Sequence, residues 1–191
     1  MNSRKTLAAA FSYTLFFALG AALAPLIAPS TTTAFTALES PHCASGAIKA
    51  ITSPGSANDL LSALYSAKKT IDVEMYAFTA SELKKALADA VKRGVKVRVI
   101  LEPRIDANLA TAEELRAAAA EVRWASTSFA NTHSKLAIID EEKVLVGSIN
   151  WSKHALYENR EAELLVEDEK TARDFTQVFE EDWSKASKGA S

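Results

Sequence analysis

Short stretches of strict polar–apolar alternation recur along the chain, separated by stretches with helical spacing. Ile71-Asp-Val-Glu-Met-Tyr76 repeats with period two, as does Val95-Lys-Val-Arg-Val-Ile-Leu101, and both predict strands. Between them, Ser81 stands as a cap before a helix carrying Leu83, Leu87 and Val91, closed by Gly94. Upstream, residues 48–52 read as a short strand broken by Ser53-Pro-Gly-Ser56. Residues 57–67 then set Leu60, Leu61, Leu64 and Tyr65 at helical spacing. Residues 111–120 form an alanine-rich helix, with Thr111 and Glu114 spaced as a capping box. Glu121–Trp124 is a short strand, and Lys135–Ile139 with residues 144–147 reads as a hairpin around Asp140-Glu-Glu-Lys143. Ala162–Glu167 is a last strand and residues 171–185 a last amphipathic helix. Strands separated by helices predict an α/β fold: a mixed, largely parallel β-sheet flanked by helices, with the hairpin as its antiparallel part. The chain shows no internal repeat.

The N-terminus follows another pattern. Arg4 and Lys5 precede residues 7–28, which carry no charge. That reads as a secretory signal or a retained membrane anchor. A run of about 22 residues is long enough to cross a hydrocarbon core of roughly 30 Å. Either way, the domain that follows is expected outside the cytoplasm, secreted or periplasmic, or held at a membrane. Residues 29–46, rich in Ser, Thr, Ala and Pro, read as a linker. Residues 1–38 are therefore assigned to leader and linker, and residues 39–191 to a single catalytic domain. Cys43 is the only cysteine, so no internal disulfide framework exists. With Arg4 and Lys5 set aside, 20 basic residues face 24 acidic ones, a net charge of −4. A nucleic-acid binder usually has a basic surplus. A cleft can still be locally basic within an acidic protein.

The stretch that carries chemistry is His133-Ser-Lys135-Leu-Ala-Ile-Ile-Asp140, followed by Gly147-Ser148-Ile-Asn150-Trp151. On a strand, His133 and Lys135 point the same way. An imidazole beside an ammonium makes a site for an anion. The imidazole can attack or move protons near neutral pH, and the ammonium suits phosphate oxygens. By the same parity, Asp140 points away from substrate. Ser148 and Asn150 offer a hydroxyl and an amide to a phosphate without competing charge, and Gly147 permits close backbone approach. Glu161, at the start of the last strand, can hold an imidazole in one tautomer. Trp151 reads as core, His154 as helix surface and Arg104 as a solvated arginine.

These residues resemble a known family. His133-x-Lys135, four residues, Asp140, six residues, then Gly147-Ser148 is similar to the HKD motif of the phospholipase D superfamily. Residues 67–79 and 90–100 resemble that family's strand–helix–strand opening, so the likeness runs over roughly residues 47–186. The Gly-Ser-x-Asn-Trp ending resembles the single-motif nucleases and the Zucchini-type endonucleases. Asn159-Arg-Glu161 resembles the late Asn-x-Glu element and gives the orienting role to Glu161. The resemblance implies an α/β/α sandwich, a phosphohistidine intermediate and no cofactor.

Phosphodiester cleavage by that route uses two imidazoles, one to attack and one to protonate the leaving oxygen. The chain has His42, His133 and His154, and only His133 has a lysine two residues later. A symmetric homodimer with a shared site is the simplest source of the second imidazole. No cluster of ligands has the spacing of a zinc or magnesium site. The expected substrate is nucleic acid. The alternative is a phospholipid headgroup, with the membrane a partner through residues 7–28.

Overall fold

A computed structural model describes residues 46–189. The run at residues 7–28, His42 and Cys43 lie outside the described residues. Among those described, no helix is long and apolar enough to cross a membrane.

The elements in chain order are β1 (Ala47–Thr52), α1 (Ala57–Tyr65), β2 (Thr70–Met75), α2 (Ser81–Lys92), β3 (Lys96–Leu101), α3 (Ala107–Ala117), β4 (Glu121–Trp124), β5 (Lys135–Ile139), β6 (Lys143–Gly147), α4 (Lys153–Tyr157), β7 (Ala162–Glu167) and α5 (Glu169–Lys185). The strands form one seven-stranded mixed sheet in the order β1-β7-β6-β5-β2-β3-β4. The antiparallel share is larger than a single hairpin gives. Only β2–β3 and β3–β4 pair in parallel, while β2–β5, β5–β6, β6–β7 and β1–β7 are antiparallel. The expectation of a largely parallel sheet missed this because the hairpin inserts between β2 and β7 and the first strand pairs with the last, long-range choices that local periodicity does not carry.

Alternation along β2 sorts its side chains onto two faces. Ile71, Val73 and Met75 enter the larger apolar core with residues of α1, α2 and α3. Asp72 and Glu74 point to the other face, which α5 covers with Phe179 and Trp183. Asp72 is paired there: Arg98 reaches it through Nε at 2.7 Å and also bonds Glu180 of α5 at 2.7 Å. The same guanidinium lies 4.9 Å from the centre of the Phe179 ring. Burial pushes the Glu74 carboxyl upward, against a hydrogen bond from Ser134.

Ser81 is the first residue of α2 rather than its cap; Ala80 holds the cap position, without a side-chain hydrogen bond. Two further local expectations change. The third helix begins at Ala107, four residues before Thr111. Thr111 is not a cap. It is buried, and its hydroxyl donates to the Phe78 carbonyl. Glu114 is taken by Lys84 of α2 at 2.6 Å. The hydroxyl meets a carbonyl 33 residues away, a partner that no capping rule anticipates. The second change is α4, a single turn too short to show periodicity, capped by Ser152, whose side chain accepts from Ala155 N.

Candidate active site

β5 and β6 form the hairpin that carries the motif, and the site lies at its open end. β5 opens with Lys135, and β6 closes with Gly147. Residues 148–150 leave that strand end and turn toward α4. Gly147 is needed there because a Cβ would come within 2.6 Å of Glu163 Cα on the neighbouring strand. His133, Lys135, Gly147, Ser148, Asn150 and Glu161 line one cavity of about 400 Å³. All the residues expected to face substrate therefore meet in one place, and Asp140, expected to point away, is not among them.

Their hydrogen bonds are specific. Lys135 is buried, and its Nζ lies 2.9 Å from His133 Nδ1, 3.2 Å from Nε2 and 2.7 Å from the His133 carbonyl oxygen. An ammonium in that position requires the facing ring nitrogen to accept. Burial holds the Lys135 ammonium below the usual lysine range, only partly offset by the Glu161 charge. Glu161 does not bond the imidazole directly. Its Oε2 accepts from Ser148 Oγ at 2.6 Å, and its Oε1 accepts from Asn159 Nδ2 at 3.1 Å. Ser148 Oγ in turn accepts from Ala162 N at 3.1 Å. Asn150 Oδ1 is buried and makes no hydrogen bond. Desolvated and unsatisfied, that oxygen is a group awaiting a donor.

Asp140 sits at the closed end of the hairpin, away from the cavity. Its carboxylate accepts from the backbone N–H groups of Lys68 at 2.9 Å, Lys69 at 2.7 Å and Thr70 at 2.9 Å. Burial opposes its ionisation, but these three bonds outweigh it and hold the carboxyl below its usual range. The motif's aspartate thus ties the hairpin turn to the start of β2.

Comparison with known proteins places this arrangement. The family model described as "Cardiolipin synthase, PLD-like domain" matches residues 60–183. The chain belongs to this PLD-like family. Among curated proteins, a mitochondrial cardiolipin hydrolase of Canis lupus familiaris is 35% identical over 127 residues, 66% of this chain and 50% of that protein. The Mus musculus protein of the same name is 34% identical over 134 residues, 70% of this chain and 60% of that protein. The match thus spans only half to three fifths of these relatives' length. Among solved structures, the phospholipase D family member Nuc from Salmonella typhimurium is 29% identical, with a TM-score of 0.70. That likeness covers 73% of this chain and 95% of Nuc.

The PLD-like domain supports its site with residues that sequence reasoning passed over. Tyr76 lies against the imidazole, with ring centroids 4.3 Å apart, and Lys135 Nζ sits 5.0 Å from the Tyr76 ring centre. Tyr76 ends the period-two run of the second strand, so its alternation spoke only of structure. Glu102, fully buried at the end of β3, accepts from Thr132 N at 2.7 Å, next to His133. Arg104 is not simply solvated. It bonds Glu102 Oε1 at 2.8 Å and the Phe129 carbonyl at 3.1 Å, pinning the loop before His133. Trp151 is core, edge-on to Phe78 with centroids 4.9 Å apart. His154 is on the exposed face of α4, 3.5 Å from Glu158, and does not line the cavity.

Proposed function

We propose that this protein is a phosphodiesterase of the nuclease type that uses His133 as its nucleophile. The observation that carries the reading is the His133–Lys135 contact in one cavity that Ser148 and Asn150 also line, where an ammonium, a hydroxyl and an amide N–H can donate to phosphate oxygens. The likeness to Nuc along nearly its whole length supports it. In the first step a ring nitrogen of His133 bonds to phosphorus and the ester P–O bond breaks. A second imidazole gives its proton to the leaving oxygen. That imidazole then takes a proton from water, and the resulting hydroxide displaces His133 from phosphorus. Lys135 and Asn150 meet the phosphate oxygens throughout. Ser148 is assigned to phosphate binding as well, which requires its hydroxyl to leave Glu161. Glu161, bonded to Ser148 and Asn159, lines the same cavity as His133 and is assigned to orient the site.

The second imidazole is assigned to His133 of another copy of this chain, in a homodimer with a shared site. Sedimentation of the active protein tests this. A dimer at assay concentration is expected, and a fully active monomer overturns it. Turnover is expected to survive EDTA, since lysines meet the developing charge.

A second reading, hydrolysis of a phospholipid, is favoured by the curated relatives, which are named cardiolipin hydrolases. The uncharged run at residues 7–28 is compatible with placement beside lipid, whether it is cleaved or kept. The full chain incubated separately with single-stranded DNA, RNA, duplex DNA, and vesicles of phosphatidylcholine or cardiolipin separates the two readings. Cleavage of a nucleic acid with both lipids intact is the expected result. Release of a headgroup or phosphatidate with every nucleic acid intact replaces it by the lipid reading.

A further inference from the structure

The last strand carries two carboxyls on one side. Glu161 precedes β7 and faces the cavity. Glu163, two residues on, is 3% exposed and lies beneath the same site. Its backbone stands opposite Gly147 in the β6–β7 register, where the two chains approach closely. Its Oε2 accepts from Ile149 N at 3.3 Å. Ile149 is the central residue between Ser148 and Asn150, and its own side chain is fully buried. The phosphodiesterase reading gives Glu163 no task.

We propose that Glu163 is a positioning residue of the site: its buried carboxyl holds the Ile149 peptide from below and so fixes the aim of Ser148 and Asn150. The paired strand thus grips this short turn twice. Glu161 takes the Ser148 side chain, and Glu163 takes the next backbone N–H. When Ser148 turns from Glu161 to phosphate, the grip on the Ile149 N–H is the one that remains, and with the buried Ile149 side chain it holds the turn. This proposal deepens the reading of the site given above and rests on it.

Chemistry then assigns a protonation state. Burial first, and the nearby Glu161 charge second, push the Glu163 carboxyl up to about 8, against the bond from Ile149. At neutral pH it is held as the acid, which accepts through its carbonyl oxygen and adds no charge beneath a phosphate. The charged groups around it are few. Glu161 is the near one. His133 and Lys135 stand across the cavity, and the β1 partner Ile51 is neutral. Lys49 on β1 is already paired with Asp59 at 2.6 Å. Above pH 8 a second carboxylate forms beside Glu161. The phosphate is then expected to be repelled, although the Ile149 N–H bond itself favours the carboxylate.

The test compares Glu163→Gln, which copies the neutral acid in shape, with Glu163→Ala, using the full-length protein. Three measurements are made: turnover of bis(p-nitrophenyl) phosphate against pH, amide exchange at Ile149, and thermal midpoint against pH. Glu163→Ala is expected to lose about tenfold or more in kcat, with faster exchange at Ile149. Glu163→Gln is expected to recover most of that loss and to remove the fall in activity above pH 8, leaving only the limb set by Lys135. The stability sign is fixed as well. An acid raised from 4.5 to about 8 stabilises the fold below pH 4.5, and that contribution is lost as pH rises toward 8. Glu163→Gln should flatten the thermal midpoint in that window. Equal turnover, pH profile and Ile149 exchange in wild type and both variants overturns the proposal. If Glu163→Ala fails to fold, a Glu163→Gln profile and midpoint identical to wild type do the same. If wild type cleaves no phosphodiester, the functional reading fails instead, and the exchange and midpoint data still decide the role of Glu163.

Discussion

At the open end of the β5–β6 hairpin, Lys135, Ser148 and Asn150 line a cavity, and one buried amide oxygen is left unsatisfied. At its closed end, Asp140 is fully engaged by three backbone N–H groups. The two ends lie within one sequence motif, Lys135 opening β5 and Asp140 following its last residue, yet their polar groups are set up in opposite ways. A structural polar group is satisfied within the fold, because an unmet buried partner costs about 1–3 kcal/mol. A binding group keeps capacity in reserve for a ligand. Motif membership alone therefore does not say that a residue touches substrate. The hydrogen-bond inventory does.

Substitutions at the two ends should separate activity from stability. The largest effect is expected from His133→Asn. Losing the nucleophile should cost at least the ~10²–10⁴-fold typical of acid–base groups, with the thermal midpoint unchanged. A folded variant with near-normal kcat removes His133 from the mechanism. Mixed in excess with wild-type chains under conditions that allow exchange, the same variant should lower activity per wild-type chain if the site is shared.

Lys135→Ala should cost somewhat less, about 10²–10³-fold, and chiefly in the chemical step, since the ammonium acts on developing charge. Single-turnover rates at saturating substrate make the check, and unchanged rates dismiss the role. Because Lys135 is desolvated, its removal also relieves a burial penalty. The variant is therefore expected to be no less stable than wild type.

Asp140→Ala should do the reverse. It orphans three N–H groups and places Ala at a φ of 56°, a region that Asp tolerates better than Ala. A loss of about 1–3 kcal/mol is expected, read as a lower denaturation midpoint, while kcat of the folded fraction stays near wild type. A large drop in kcat at unchanged stability would move Asp140 into the site.

The smallest effect concerns acid. The Asp140 carboxyl is lowered in the fold, so its contribution is present above its unfolded value of 3.8 and is lost as pH falls through the folded one. Asp140→Asn, which keeps the left-handed backbone accessible, should show a shallower loss of stability below pH 4. Parallel acid curves for the two proteins would show that the three N–H bonds do not depend on the charge.

Much of this was legible in the chain. Every predicted strand is present, because period-two runs such as residues 71–76 report burial on a sheet directly. His133, Lys135, Ser148, Asn150 and Glu161 converge, because alternation and a hairpin are enough to bring them to one end. The rest depends on contacts distant in sequence. Thr111 looks like a cap until the Phe78 carbonyl arrives. Glu102 and Glu163 look like ordinary strand charges until Thr132 and Ile149 are placed beside them. Arg104 looks solvated until the loop at residues 127–129 folds over it.

The pairing of β1 with β7 also has a consequence in time. Ala47 lies opposite Glu167 and Thr52 opposite Ala162, so this edge joins positions more than a hundred residues apart. Closing so long a loop gives no reward until both strands exist, and such contacts slow folding. β2, β3 and β4 can pair in the order they are made. β1 leaves the ribosome early and must wait for β7, whose approach and first residues bring Glu161 and Glu163. A growing chain thus completes the cavity end of its sheet late, and one truncated before β7 lacks both the edge and the carboxyls.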